Sequence, residues 1–272
     1  MIGVPVEQII QLSEKNALQL EFSSGMPYKE DMLELCINAR IPRLIHNYFP
    51  APKYPFVLNL ASVNEGIRKQ SIEHCKMAIN ITDQIGANFF AAHSGFCIDP
   101  APTELGNKIS QDASKRIERN LHLDLFYKSV IEILEFADER KIDFYIENNV
   151  ITQFNLNNNQ NPLLGCDSEE LKRVFDDINH PRFGLLLDTA HLKVSAITLG
   201  LSCKDELDKL TPYIKALHHS DNDGLIDSNS EMDLSYWFLP FISQFSKMTH
   251  VIEVKNINIE KIKKQILLIA SA

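Results

Sequence analysis

Cysteine is scarce and scattered. Cys36, Cys75, Cys97, Cys166 and Cys203 are odd in number, and no two lie close together. They fit neither a disulfide framework nor a thiolate zinc site, and they suit a reducing, cytoplasmic setting. No Gly-rich loop of the GxGxxG kind follows an early strand-like run, which counts against an open dinucleotide-binding sheet. Long apolar runs are missing as well. The most apolar tail, residues 266–272, is far too short to span a bilayer. No basic stretch leading into an apolar one opens the chain, so no secretion signal is expected. Basic residues are in deficit: 27 Lys and Arg against 36 Asp and Glu leave a net charge of −9. Holding nucleic acid by charge alone needs a cluster of cations. Arg116, Arg119, Lys261, Lys263 and Lys264 are instead dispersed among acids. This argues against a nucleic-acid partner without excluding one.

What is present is a regular alternation. The 272 residues are 44% hydrophobic and 23% charged, and a single α/β barrel typically occupies about 250 residues. Short apolar runs read as buried parallel strands at residues 17–22, 43–46, 88–93, 143–147, 184–188, 214–218 and 250–254. Residues 1–4 (MIGV) read as an abbreviated first strand. Helical spacing follows at residues 67–85, with Gly86 as a stop, at 123–141, and at 168–177, where Ser168 is the expected N-cap. The expectation is one domain over residues 1–272, a parallel eight-stranded (β/α)8 TIM barrel with a short first strand. Residues 152–162 (TQFNLNNNQNP) have no periodicity. They read equally as a solvated loop or as an active-site loop.

The chemistry lies in how the runs end. His46, His93, Glu147, Asp188, His218 and Glu253 each stand at or near the end of one, spaced by 47, 54, 41, 30 and 35 residues. In a parallel barrel those ends converge on one face. Three carboxylates buried together repel one another and lose hydration unless a cation joins them. The mixed imidazole and carboxylate set suits Zn, Mn, Fe or Co, with one or two ions expected. Asp188-Thr189-Ala190-His191 adds a histidine that could bind metal, meet a substrate oxygen or cap the next helix. In His218-His219 only one ring can face the mouth. His218 is preferred because it ends the apolar run, with His219 the alternative.

These residues resemble the xylose isomerase-like barrel superfamily, which includes sugar isomerases, epimerases and the endonuclease IV group (AP endonuclease family 2). The ordered elements are Glu147-Asn148, Asp188-Thr189-Ala190-His191, His218-x-x-Asp221 and Glu253. The resemblance implies a divalent metal held by Glu147, Asp188, His218 and Glu253. His46, Asn59-Leu60-Ala61-Ser62 and His93-Ser94-Gly95 are similar to the N-terminal half of endonuclease IV. There, matching residues hold a further zinc bridged through the position of Glu147. A third zinc uses the position of His191 and a later Asp-x-His. Here that motif reads Asp227-Ser228-Asn229, and an amide is a poorer zinc ligand than imidazole. Asn148, Asp221, Asp227 and Asn229 are therefore candidates for an additional metal or for substrate.

Two enzyme readings follow. In the first, the chain isomerises or epimerises a sugar, a sugar phosphate or a related hydroxy-carbonyl compound through a metal-stabilised enediolate. Glu147 and Glu253 would act as acid and base, and His191 would steady a substrate oxygen. In the second, it is a metal-dependent phosphodiesterase of the endonuclease IV kind. His46 and His93 favour that reading, while Asn229 and the missing basic strip oppose it. A barrel that binds a ligand without turnover is a third possibility. The first is the expectation, with a small sugar-like molecule as partner.

Overall fold

A computed structural model describes residues 4–23, 26–111, 117–156 and 160–272. Among them seven parallel strands form one sheet in sequential order. They are β1 (Leu20–Phe22), β2 (Arg43–His46), β3 (Phe89–His93), β4 (Asp143–Glu147), β5 (Phe183–Asp188), β6 (Ile214–His219) and β7 (Thr249–Ile252). Helices α1 (Val6–Lys15), α2 (Met32–Asn38), α3 (Glu65–Gln84), α4 (Arg119–Asp138) and α5 (Ser168–Ile178) alternate with the first five strands. Helices α6 (Thr189–Leu199) and α7 (Cys203–Leu210) precede β6, and α8 (Ile259–Ala270) closes the chain. The architecture is an α/β TIM barrel, nearly closed by these seven strands. Of the expected first strand at 1–4, residues 1–3 lie outside the described residues, as do Arg116 and residues 157–159 of the Asn-rich segment.

Strand parity divides the core. Ile45, Phe90, Ala92, Phe144, Ile146, Leu185, Leu187 and Leu217 face outward and join the large cluster shared with the helices. Phe89, Ala91, Tyr145, Leu186 and Ala216, with Leu44, form a separate inner cluster. Side chains two residues apart share a face. The inner apolar residues Leu44, Ala91, Tyr145, Leu186 and Ala216 are therefore each followed, two positions on, by His46, His93, Glu147, Asp188 and His218. Glu253 follows β7, and its amide donates to the His219 carbonyl at 2.9 Å, extending the ladder by one bond.

The helix starts correct one expectation. Asp167, not Ser168, is the N-cap of α5, its side chain accepting from the Glu170 amide. Asp167 carries the stronger acceptor and has extended backbone, as a cap requires. Helix α4 begins at Arg119 and ends at Asp138, a few residues before the expected bounds on both sides.

The segment after β4 returns across the end of β3. Gly165, with φ of +68°, donates its amide to Glu170 and accepts from the Asn149 amide at 3.0 Å. A Cβ there would lie 2.8 Å from Ser94 Cβ. Ser94 in turn donates to the Glu147 carbonyl at 2.7 Å. Gly165→Ala is therefore expected to lower stability by about 1–3 kcal/mol through the left-handed backbone and the clash. Chemical denaturation of the variant measures this, and an unchanged midpoint would refute the close approach.

Candidate metal centre at the barrel mouth

The inward parity of the strand ends gathers four histidines and five carboxylates at one mouth. Glu147, at the end of β4, lies at the centre with 1% of its side chain exposed. His46 Nε2 is 2.8 Å from Glu147 Oε2, and His93 Nδ1 is 3.3 Å from the same oxygen. His218 Nδ1 is 3.5 Å from Glu147 Oε1 and 2.8 Å from Glu253 Oε2. His191 Nδ1 is 3.6 Å from Glu147 Oε1, and its Nε2 is 3.4 Å from Asp227 Oδ2.

Asp188 divides its two oxygens. Oδ1 accepts the Ala190 and His191 amides at 2.7 and 2.8 Å, so Asp188 caps α6 and His191 does not. Oδ2 is buried without a hydrogen-bond partner. Asn148 ties β4 to β5 by exchanging two hydrogen bonds with the Asp188 backbone. Its carbonyl also accepts from His191 Nδ1 at 2.9 Å. Of the candidates, Asp221 stands apart: Lys193 Nζ reaches its Oδ1 at 2.7 Å. Asn229 is buried in left-handed backbone, with its side-chain oxygen unpartnered.

His218 faces the mouth and His219 faces away. His219 bonds Tyr236 Oη and His250 Nδ1, each at 2.9 Å. Glu21 is the residue that sequence reasoning misses. It interrupts the apolar β1, pairs in register with the inward Leu44, and places Oε2 3.0 Å from His218 Nε2. Its position in the middle of the run hides it. The alternation Leu20-Glu21-Phe22 is the signal that could have found it.

Electrostatics bind the set together. Burial pushes the Glu147 carboxyl upward, but His93, His46 and His218 outweigh it and hold the group well below the carboxylate range. Burial drives Asp188 up to about 7. His218 and His191 are raised despite burial, by Glu21 and Glu253 in one case and by Asp188 and Asp227 in the other. Burial lowers His93 to about 4.

The donor set fits a divalent cation. Three groups each place one ligand atom per residue within 4.8 Å of the others: Glu21, His46 and His218; His93, Glu147 and His191; Glu147, Asp188, His218 and Glu253. Buried Glu147 Oε1, Asp188 Oδ2 and His93 Nδ1 have no hydrogen-bond partner. Unpaired buried groups of this kind are costly, and a cation would satisfy the oxygens while replacing histidine protons as the counter-charge.

The family model described as a xylose isomerase-like TIM barrel matches residues 8–250. The chain belongs to that family. The "Probable endonuclease 4" of Malacoplasma penetrans is 24% identical over 182 residues. The match covers 65% of this chain but only 54% of that relative, so the chain spans about half its length. A solved D-tagatose 3-epimerase-like protein aligns with a TM-score of 0.69 at 18% identity, covering 93% of this chain and 90% of its own. A Thermus thermophilus protein soaked with ZnCl2 aligns at 0.63 and 17% identity, covering 98% and 95%. At these identities the solved structures show a shared fold alone. No helix among the described residues is long and apolar enough to cross a membrane.

Proposed function

We propose that the chain is a divalent-metal-dependent isomerase or epimerase of a small sugar, sugar phosphate or related hydroxy-carbonyl compound, working in the cytoplasm as one barrel domain. The observation that carries this reading is the pair Glu147 and Glu253. Both approach His218 Nδ1, yet Glu147 is 1% exposed and Glu253 is 40% exposed. Two carboxylates in contrasting environments are the arrangement that separates acid from base roles.

Glu147, Asp188, His218 and Glu253 would hold one ion, and His46 and His93 with Glu147 a second. A bound divalent cation would supply Lewis acidity at a carbonyl and its neighbouring hydroxyl. Glu147, held ionised by its histidines, would take the proton from the carbon beside the carbonyl. Glu253, open to the mouth and so able to draw a proton from solvent, would return one to the other face, which inverts that carbon, or one carbon along with the hydroxyl proton passing between the two oxygens, which isomerises the substrate. His191, its Nδ1 committed to Asn148, turns Nε2 toward a substrate oxygen. Asp227, 3.4 Å from His191 Nε2, brings an unpartnered Oδ1 to the same end, suited to a hydroxyl donor.

The relative named as an endonuclease 4 keeps phosphodiester hydrolysis as the second reading, and the contacts of His46 and His93 with Glu147 favour it. Against it, Arg119 is tied to Glu170 at 2.6 Å, and Lys261 and Lys263 have the carboxylates of Glu231 and Glu260 beside them, so acids interrupt any strip for phosphates. A panel of ketoses in deuterated buffer, beside abasic-site DNA, separates the readings. At least one ketose is expected to be converted with uptake of solvent deuterium, and the DNA to stay intact. Cleaved DNA with inert ketoses would reverse the assignment.

A further inference from the structure

Asp221, three residues past His218, gives its Oδ1 to Lys193 Nζ at 2.7 Å and to the Asn222 amide at 2.9 Å. The pair is largely buried, with Lys193 20% and Asp221 17% exposed. Lys193 Nζ also donates to the Asn222 carbonyl. Asp221 and Ser230 exchange two backbone hydrogen bonds, at 3.0 and 2.8 Å, so residues 222–229 form a loop closed at its base. That loop lies along α6. Ala190, Lys193 and Ile197 stand three and four residues apart and share one helix face. The Ala190 carbonyl accepts from the Asn222 side chain at 3.0 Å. Ile197 packs against Gly224, where a Cβ would lie 2.2 Å from its Cδ1. At the far end Asp227 Oδ2 sits 3.4 Å from His191 Nε2, and the Asn229 carbonyl accepts from the Lys255 amide at 2.9 Å.

We infer that Lys193 is a positioning residue for the substrate end of the mouth. Its ion pair with Asp221 clamps the loop of residues 222–229 onto α6 and so fixes Asp227 beside His191. This rests on the reading of Asp227 as a group that meets a substrate hydroxyl. Helix α6 starts at Asp188, whose Oδ1 caps it, so the clamp joins Asp227 to the same rigid body as Asp188 and His191. An acceptor held in place binds a matching hydroxyl without first being ordered, whereas one on a loose loop loses that advantage. The charge does the holding. A largely buried carboxylate deprived of its cation is strongly unfavourable, and its return to water draws the base of the loop off the helix. If the pair served the fold alone, its loss would lower stability and leave recognition untouched.

The test compares wild type, Lys193→Met, Asp227→Asn and the double variant on a ketose that wild type converts. KM is expected to rise about tenfold in Lys193→Met, roughly the worth of one hydrogen bond to a charged group, with kcat nearly unchanged. Asp227→Asn should raise KM by a similar factor. The double variant should add little to either, because Lys193 acts through Asp227. An unchanged KM in Lys193→Met overturns the proposal, whatever happens to kcat or to the thermal midpoint. So does a double variant in which the two factors multiply. If Lys193→Met does not fold, Asp221→Asn, which keeps the shape and one acceptor, takes its place under the same criteria. If wild type converts no ketose, the isomerase reading itself fails, and the clamp is judged by hydrogen exchange. Faster exchange in Lys193→Met confined to the amides of residues 222–229 supports it. Exchange like that of wild type, or faster throughout the barrel, overturns it.

Discussion

Glu147→Gln is expected to cost about 10²–10⁴-fold in turnover, the range for loss of a general acid or base, and to reduce bound metal. Among the described residues, Glu147 alone belongs to both the group with His93 and His191 and the group with Asp188, His218 and Glu253. Its Oε2 meets both His46 and His93. Glutamine keeps the shape but loses the charge, and its amide can turn only one acceptor toward three histidines. The fold should survive, because the apolar inner cluster lies one layer below. Steady-state rates and elemental analysis on the same preparation check both parts. A fully active variant would sink the site assignment.

The second large effect is expected at Asp188, where the two oxygens can be tested separately. Asp188→Asn keeps Oδ1 and with it the cap of α6, but replaces the unpaired Oδ2 with a donor. It should lose the ion held with Glu147, His218 and Glu253 while melting within a few degrees of wild type. Asp188→Ala should lose the ion and the cap together. The stability gap between the two variants isolates the cap, at about 0.5–2 kcal/mol. Metal titration and denaturation measure the two terms independently. Retained metal in Asp188→Asn would remove Asp188 from the ligand set.

Much of this site was legible because a parallel barrel converts strand ends into neighbours. His46, His93, Glu147, Asp188, His218 and Glu253 end their runs in order, and the structure brings all six together. Residues read on position alone fared less evenly. Asp221 follows His218 by three, but Lys193 takes it up, a long-range pairing that no local pattern announces. Asn148 staples two strands through backbone groups, and a bond to the main chain leaves no mark in the sequence. Glu21 lies inside its apolar run rather than at its end. The two-residue period exposes it, as it also separates His218 from His219. The path of the chain after β4 was not readable. It depends on Asn149 donating to the carbonyls of both Gly95 and Leu164, contacts fixed only once β3 and β4 are paired.

Activity is expected to depend on a metal held by the histidines and carboxylates of this mouth. Elemental analysis of the purified protein, with turnover measured before and after chelation, is the decisive experiment. One or two equivalents of a divalent transition metal are expected, with activity lost on removal and regained on return of the ion. Metal-free protein with intact activity would contradict it.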